Sequence, residues 1–497
     1  MKNKFYITTT IPYVNSAPHI GFALELIQTD IIARYHKQIG DEVVFSTGTD
    51  EHGVNIYQKA LEAGKEPQQY TDENAEKFKK LVEVLNLSSD RFIRTTNEFH
   101  KKAAQEFWNR CFKNGDIYKA KYKIKYCTGC ELEKTGSELD SGKCPLHPNL
   151  EIEEREEENY FFKFSNYQKQ LLDLYKIRPD FVLPKFRFNE IKKFVETGLR
   201  DFSVSRLKEK MPWGVPVPND PEHVMFVWFD ALVNYISTLG WPKDEKTFKD
   251  FWPGSQTAGK DNLRQQSAIW QAMLFSAGLP NSKQILIHGF ITMDGQKMSK
   301  TIGNVVDPFS VVEKYSADVV RYYLLRDIPS DEDGDFSEQR IRERYTSDLA
   351  NGLGNLVQRV ATLIDSKMDG EIIYHSKLLP DIEELNEVEE DHEINRAIEN
   401  FKLHEALALI WKKIDVANAF VNEEAPWKLV DENPEQFQKV MLALTEMMHH
   451  ITWNLQPFMP ETAAKIREVF GDTNGKEIPN DFHFVIQKSA VLFPRLS

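Results

Sequence analysis

Along the first 115 residues the spacing of apolar positions changes period repeatedly. "KFYITTTIPYV" is an apolar run rich in β-branched and aromatic residues and predicts a buried strand. "HIGFALELIQTDIIARYHKQIG" shifts to helical spacing and closes on Gly40, a residue suited to ending a helix. "DEVVFSTGTD" reads as a second strand, "VNIYQKALEAG" as helix, "DRFIRTT" as a third strand and "NEFHKKAAQEFWNRCFKNG" as helix. Alternation of this kind predicts an α/β fold, a parallel sheet with helices on its faces. Ligands in such sheets bind at the carboxyl ends of the strands, which points to Thr8–Phe22 and Phe45–Gly53.

The pattern breaks at Tyr118–Phe164, which is short, polar and strand-like and reads as an insertion. It resumes around "HVMFVWFDALVNYIS" and "KQILIHGFITMDGQKMSKTIGNVV". Beyond Asp307 the apolar spacing is almost wholly helical, which predicts a helix bundle.

Composition narrows the classes. A chain of 497 residues exceeds one compact core. No run of about 18 apolar residues marks a membrane span, and the first residues lack the apolar segment and cleavage site of a secretory leader. The expected setting is the cytoplasm. A net charge of −14 weighs against a nonspecific polyanion binder, although a local basic face matters more than the total. From Asn351 onward there are 14 Lys+Arg against 25 Asp+Glu, so an RNA contact there rests on a few specific groups. The acidic run Asp381–Glu393 reads as a solvated helix end or loop.

Candidate chemistry then comes from short motifs. Cys127-Thr-Gly-Cys130 and Cys144-Pro-Leu-His147 are two knuckles that together supply four N/S ligands, the set for a closed, structural, tetrahedral Zn2+ site. Cys111 stands apart and reads as a buried thiol. Gly254-Ser-Gln-Thr-Ala-Gly-Lys260 has P-loop spacing, but Asp261 occupies the hydroxyl position that should hold magnesium, so that reading is rejected. Lys297 and Lys300 lie three apart on a glycine-flanked polar segment and suit a polyphosphate whose charge grows during reaction, although a solvated basic turn is the simpler reading of that segment alone. Pro18, His19 and Gly21 open a helix: proline pre-sets the first turn, glycine permits close approach, and helix N-termini bind phosphate, while His19 adds a donor, although a lone histidine at such a place is more often structural.

Taken together, "PHIG", "KMSK" and the zinc knuckle between them resemble the class I aminoacyl-tRNA synthetases. "FYITTTIPYVNSAPHIG", "FSTGTDEHG", "REEENYFFKFSNY", "VWFDALVNYIS", "GKDNLR", "GQKMSKTIGNVVDP" and "NEEAPWKL" are similar to the methionyl branch, over essentially residues 4–460. The resemblance implies a Rossmann-type catalytic domain in two halves, 1–115 and 201–310, split by a connective insertion at 116–200 carrying the zinc. A stem-contact segment at 311–350 and a helical anticodon-binding domain at 351–497 follow. The implied reaction joins L-methionine and ATP (with Mg2+) into methionyl-adenylate and then transfers methionine to tRNA(Met).

By motif position the resemblance gives His19 and Gly21 to the ATP phosphates, Lys297 and Lys300 to the transition state and departing pyrophosphate, and Asp261 to the ribose. Asp50 would neutralise the methionine ammonium; Ile11, Tyr13, Trp228, Ala231 and Tyr235 would line the side-chain pocket, with Gln266 as a further pocket residue. Asn355, Arg359 and Trp427 would read the anticodon. The family's first motif normally ends on a second histidine, and here that position is Phe22. In "GKDNLRQQSAIW", Gln265-Gln266 stand where members commonly carry an aromatic or other residue and then a histidine, and Asn262 replaces an aliphatic residue.

Two rival readings remain at this level. Synthetases for other apolar amino acids usually need a large editing insertion, because one methylene gives only about 1–3 kcal/mol of discrimination, and the insertion here is short. A non-catalytic tRNA-binding relative needs neither the lysines nor Asp50. The short tail after "PFMPETAAKIREVF" shows no added dimerising domain, so a monomer is expected.

Overall fold

Four of the five residues of the first strand, β1 (Lys4–Thr8), are buried, and the main sheet of the computed structural model builds outward from it. The structure describes residues 2–130, 132–134, 139–293, 295–298, 304–375, 379, 391–471, 478–479, 481–486 and 491–496. After β1 come α1 (Ile20–Gln38), β2 (Glu42–Thr49), α2 (Val54–Glu62), α3 (Pro67–Val84), β3 (Arg91–Arg94), α4 (Glu98–Lys113) and β4 (Ile117–Cys127). The sheet order is β3, β2, β1, then Ser255–Gly259, Gln284–His288 and Val182–Leu183, and every pairing is parallel. Strands from the first part of the chain lie to one side of β1 and later ones to the other. This reversal opens a cleft at the carboxyl ends of β1 and Ser255–Gly259.

The chain forms two compact units. The first holds residues 1–29, 39–83 and 87–288, and the second 30–38, 84–86 and 289–497. The core of the first is aromatic: Phe107 stacks on Trp270 at 5.5 Å and meets Phe229 and Trp241 edge-on. The insertion is a long antiparallel pair, β4 with Glu153–Phe162, anchored by the buried Phe161 and Phe162.

The second unit is chiefly helical, as the apolar spacing requires. Leu403–Glu424, Pro434–Leu455 and Pro460–Phe470 pack with Asn355–Lys367. Arg321 is fully buried in this unit, paired with the equally buried Asp30 at 2.8 Å and donating to the carbonyls of Phe458 and Pro457.

Two expectations change, and one rejection gains a structural reason. Asp220–Met225 joins Ser205–Leu207 and Pro216–Val217 in a separate antiparallel sheet rather than the parallel one. "SQTAG" in the rejected P-loop candidate is itself a buried strand of the main sheet, so it offers no phosphate cradle. Of the acidic run, residues 381–390 lie outside the described residues. Asp391 is buried, not solvated, and both Lys413 (3.3 Å) and Asn454 (2.7 Å) meet its Oδ1.

Candidate active site

The backbone that leaves β1 is pinned to the backbone that leaves β2. Tyr13 forms a parallel bridge with Asp50; the Val14 amide donates to the Asp50 carbonyl at 3.2 Å and the Asp50 amide to the Pro12 carbonyl at 2.9 Å. Asp50 is thereby held as a buried carboxylate at a strand end. The Trp228 ring stands edge-on to Tyr13, centroids 6.4 Å apart. Ala231 and Tyr235 follow on the short helices Val227–Ala231 and Asn234–Ser237, both buried. Gln266 donates through Nε2 to the Tyr235 hydroxyl at 2.5 Å and accepts from Gln256 at 3.2 Å. Its amide is therefore oriented before any ligand arrives. Ile11 lies half-buried in the same β1 exit.

The nucleotide-facing candidates begin at α1. The His19 carbonyl accepts from the amides of Phe22 (3.0 Å) and Ala23 (3.2 Å), which starts the helix, and its side chain is exposed. Gly21 is in that first turn. Phe22 packs edge-on against Phe78 at 5.7 Å, in a cluster with Val14 and Ile56. Asp261 lies on the turn after Ser255–Gly259. A Cβ on Gly259 would come within 2.9 Å of Asp261 Oδ1 and 3.6 Å of the His288 ring, so the absent side chain at Gly259 keeps that face open.

Reasoning from sequence missed a second layer. Glu25, buried on α1, accepts from the Thr10 amide (2.7 Å) and hydroxyl (2.6 Å) and meets His288 Nε2 at 2.9 Å. Glu51 is fully buried and receives Arg94 through two bonds (2.6 and 2.9 Å), with Thr49 and Thr96 alongside. Asp230 is clasped between His52 (2.6 Å) and His100 (2.9 Å). Burial alone would raise the Asp230 carboxyl, but the two imidazoles outweigh it and hold it down at about 2. The available signal was a carboxylate within an otherwise apolar stretch: Glu25 in "GFALELI" and Asp230 in "VWFDALV".

The lysine segment is described only in part. Thr292 and Met293 pair with Lys297 and Gln296 in a tight hairpin, with Gly295 at φ +71° in its turn. The Lys297 side chain and all of Lys300 lie outside the described residues.

Cys127, Cys130, Cys144 and His147 converge, their ligand atoms within 4.8 Å of one another. Sγ of Cys130 is 3.4 Å from Sγ of Cys144 and 3.2 Å from His147 Nδ1; Cys127 and Cys144 lie 3.8 and 3.9 Å from the same nitrogen. Zinc–sulfur bonds of about 2.3 Å at tetrahedral angles require edges near ~3.7 Å, so the cluster fits. Gly129 is needed there, since a Cβ would meet the His147 ring at 2.5 Å. Cys111 is buried elsewhere, its thiol pushed up to about 12 by burial.

In the second unit, Asn355 and Arg359 lie one turn apart on Asn355–Lys367. The Arg359 guanidinium lies 5.5 Å from the Trp427 ring centroid and donates to Asn422 at 2.8 Å. Trp427 is 45% exposed, a flat aromatic surface open to solvent.

Comparison with known proteins identifies relatives along the whole chain. The model for "tRNA synthetases class I (M)" matches residues 5–151 and 135–361, and that for the "anticodon binding domain of methionyl tRNA ligase" matches 373–490. Methionine–tRNA ligase of Thermotoga maritima is 44% identical over 97% of this chain and 77% of its own length; that of a Nostoc species is 40% identical over 94% and 90%. The Mycobacterium tuberculosis methionyl-tRNA synthetase solved with methionyl-adenylate superposes with a TM-score of 0.93 at 35% identity, covering all of both chains.

Proposed function

The chain belongs to the class I methionyl-tRNA synthetases, and from that premise we propose how its residues divide the work of a methionine–tRNA ligase. The observation that carries the division is the grouping at the carboxyl ends of β1 and β2: a buried carboxylate, Asp50, beside a wall of Tyr13 and Trp228. Asp50 receives the methionine ammonium. Ile11, Tyr13, Trp228, Ala231 and Tyr235 enclose the thioether chain, whose polarizable sulfur suits aromatic edges. Gln266 holds the Tyr235 hydroxyl in place.

A methionine carboxylate oxygen attacks the α-phosphorus of ATP. The new P–O bond forms as the bond to pyrophosphate breaks, and negative charge moves onto the leaving group. His19 and the helix start at Gly21 receive phosphate oxygens; Lys297 and Lys300 meet the growing charge, where preorganised donors act most strongly. Asp261 takes the ribose, with Glu25 and His288 supporting that end of the cleft. A terminal ribose hydroxyl of tRNA(Met) then attacks the methionyl carbonyl and AMP departs.

The Cys127, Cys130, Cys144 and His147 site holds one Zn2+, which when bound is structural because all four positions are filled by protein. Mg2+ accompanies ATP as part of the substrate. Asn355, Arg359 and Trp427 read the anticodon by hydrogen bonding and stacking, the usual mode for unpaired RNA bases. The domain limits are those of 1–115, 116–200, 201–310, 311–350 and 351–497. No helix among the described residues is long and apolar enough to cross a membrane, and we place a monomeric enzyme in the cytoplasm, where thiolate ligands stay reduced.

ATP–pyrophosphate exchange with a panel of amino acids tests the reading. Methionine should support exchange far above leucine, isoleucine or valine. Exchange with none of them, in protein that still binds tRNA, would overturn it.

A further inference from the structure

The residues assigned to the methionine ammonium and to the aromatic wall each stand close in sequence to one buried hydrogen-bonded chain. His52 Nδ1 lies 2.6 Å from Asp230 Oδ2, His100 Nε2 lies 2.9 Å from Asp230 Oδ1, and His100 Nδ1 lies 2.8 Å from Ser237 Oγ. None of the four residues is more than 2% exposed. Asp50 is two positions before His52, Trp228 and Ala231 lie on either side of Asp230, and Tyr235 is two positions before Ser237. His100 sits on α4, which carries none of the assigned pocket residues.

The bonding leaves little freedom. Each carboxylate oxygen of Asp230 is engaged by a different element, so neither can rotate without losing a charge-assisted bond. Nε2 of His100 donates to the carboxylate, and Nδ1 shares a hydrogen bond with the Ser237 hydroxyl, which itself lies 3.4 Å from the Asn234 carbonyl. The chain thereby links the β2 exit to both short helices of the pocket wall.

We propose that Asp230, His52, His100 and Ser237 are positioning residues that set the spacing between the ammonium-binding carboxylate of Asp50 and the wall formed by Trp228, Ala231 and Tyr235. The proposal rests on the assignment of those pocket residues made above. A purely structural cluster would alter stability without distinguishing the two substrates. A positioning device acts on methionine and leaves ATP alone, because small misplacements of a bound reactant are costly.

Exchange kinetics with methionine and ATP varied separately decide it, using Asp230→Asn, Ser237→Ala, His100→Gln, His100→Leu and, as a reference, Asp50→Asn. Asp230→Asn should raise the methionine KM by about tenfold or more and move the ATP KM by less than about twofold. Ser237→Ala leaves the Asp230–histidine contacts in place and should raise the methionine KM by about two- to fivefold. His100→Gln can still donate to Asp230 and should recover most of what His100→Leu loses. Equal rises in both KM values, or lowered melting temperatures with both KM values intact, overturn the proposal. Should Asp230→Asn fail to fold, Ser237→Ala and the two His100 variants decide it by the same two KM values. If Asp50→Asn leaves the methionine KM unchanged, the pocket assignment fails and this proposal falls with it. If Asp50→Asn raises it and the other variants do not, only the positioning role is lost.

Discussion

Phe22 is the residue at which this chain departs from its family's first motif, and its surroundings explain the choice. The ring lies edge-on to Phe78 and joins a cluster with Val14 and Ile56, so it supports the β1 exit rather than donating to phosphate. An aromatic pair of this kind contributes about 0.5–1.5 kcal/mol beyond its buried area. Phe22→His should therefore lower unfolding stability by about 1 kcal/mol in denaturant titrations, with no gain in pyrophosphate exchange. A large gain would show that a donor at this position reaches the phosphates after all. Lys300 is proposed to belong to the opposite class, a group whose value lies in the transition state. Lys300→Ala should reduce the adenylation rate by about 10²–10³-fold, the scale for losing one preorganised stabiliser, while filter-binding affinity for tRNA holds. An unchanged exchange rate would refute that role.

Elements add what single residues cannot. The knuckle sits at the tip of the β4 hairpin, whose base is fixed by Phe161 and Phe162 while Leu146 and Leu150 at the tip remain 50% and 40% exposed. With so little apolar burial of its own, the tip depends on its metal. Chelation should release about one zinc per chain and speed amide exchange across the described part of Cys127–Leu150, leaving Ile117–Ala120 protected. Loss of protection throughout the protein would show instead that the metal holds the whole fold. The knuckle was legible in sequence because its ligands are close together, and so was the strand–helix alternation of the first 115 residues, which is local periodicity. What escaped was non-local. Asp230 lies 178 residues from His52 and 130 from His100, and no local pattern encodes such pairing. "SQTAG" has no β-branched run, yet it is a central strand, and Gly254 just before it permits a close approach: a Cβ there would meet the Tyr6 ring at 2.2 Å. The hairpin of Glu371–Tyr374 with Phe482–Val485 likewise joins segments more than a hundred residues apart, so the tail reads as loose until its partner is known.

At the scale of the whole molecule the two half-reactions make different demands. On the proposed assignment, adenylate formation uses the groups around β1, β2 and the lysine segment, whereas charging also requires the anticodon to be read. The carboxyl-terminal 147 residues are net acidic, 14 Lys+Arg against 25 Asp+Glu, which weakens diffuse attraction to phosphates there. Under the assignment proposed above a few directed contacts carry the RNA affinity, among them Trp427 with Arg359: an exposed indole face with a guanidinium against it. Base–aromatic stacking contributes about 1–3 kcal/mol. Trp427→Ala should therefore lower kcat/KM for tRNA in aminoacylation by roughly 10- to 100-fold, while exchange without tRNA stays within about twofold. Arg359→Ala should act in the same direction, and less strongly if its chief role is to hold the indole. Both assays on one preparation separate the possibilities: a loss confined to charging marks Trp427 as a base-reading surface, and equal losses in both would mark it as a packing residue whose removal disturbs the fold.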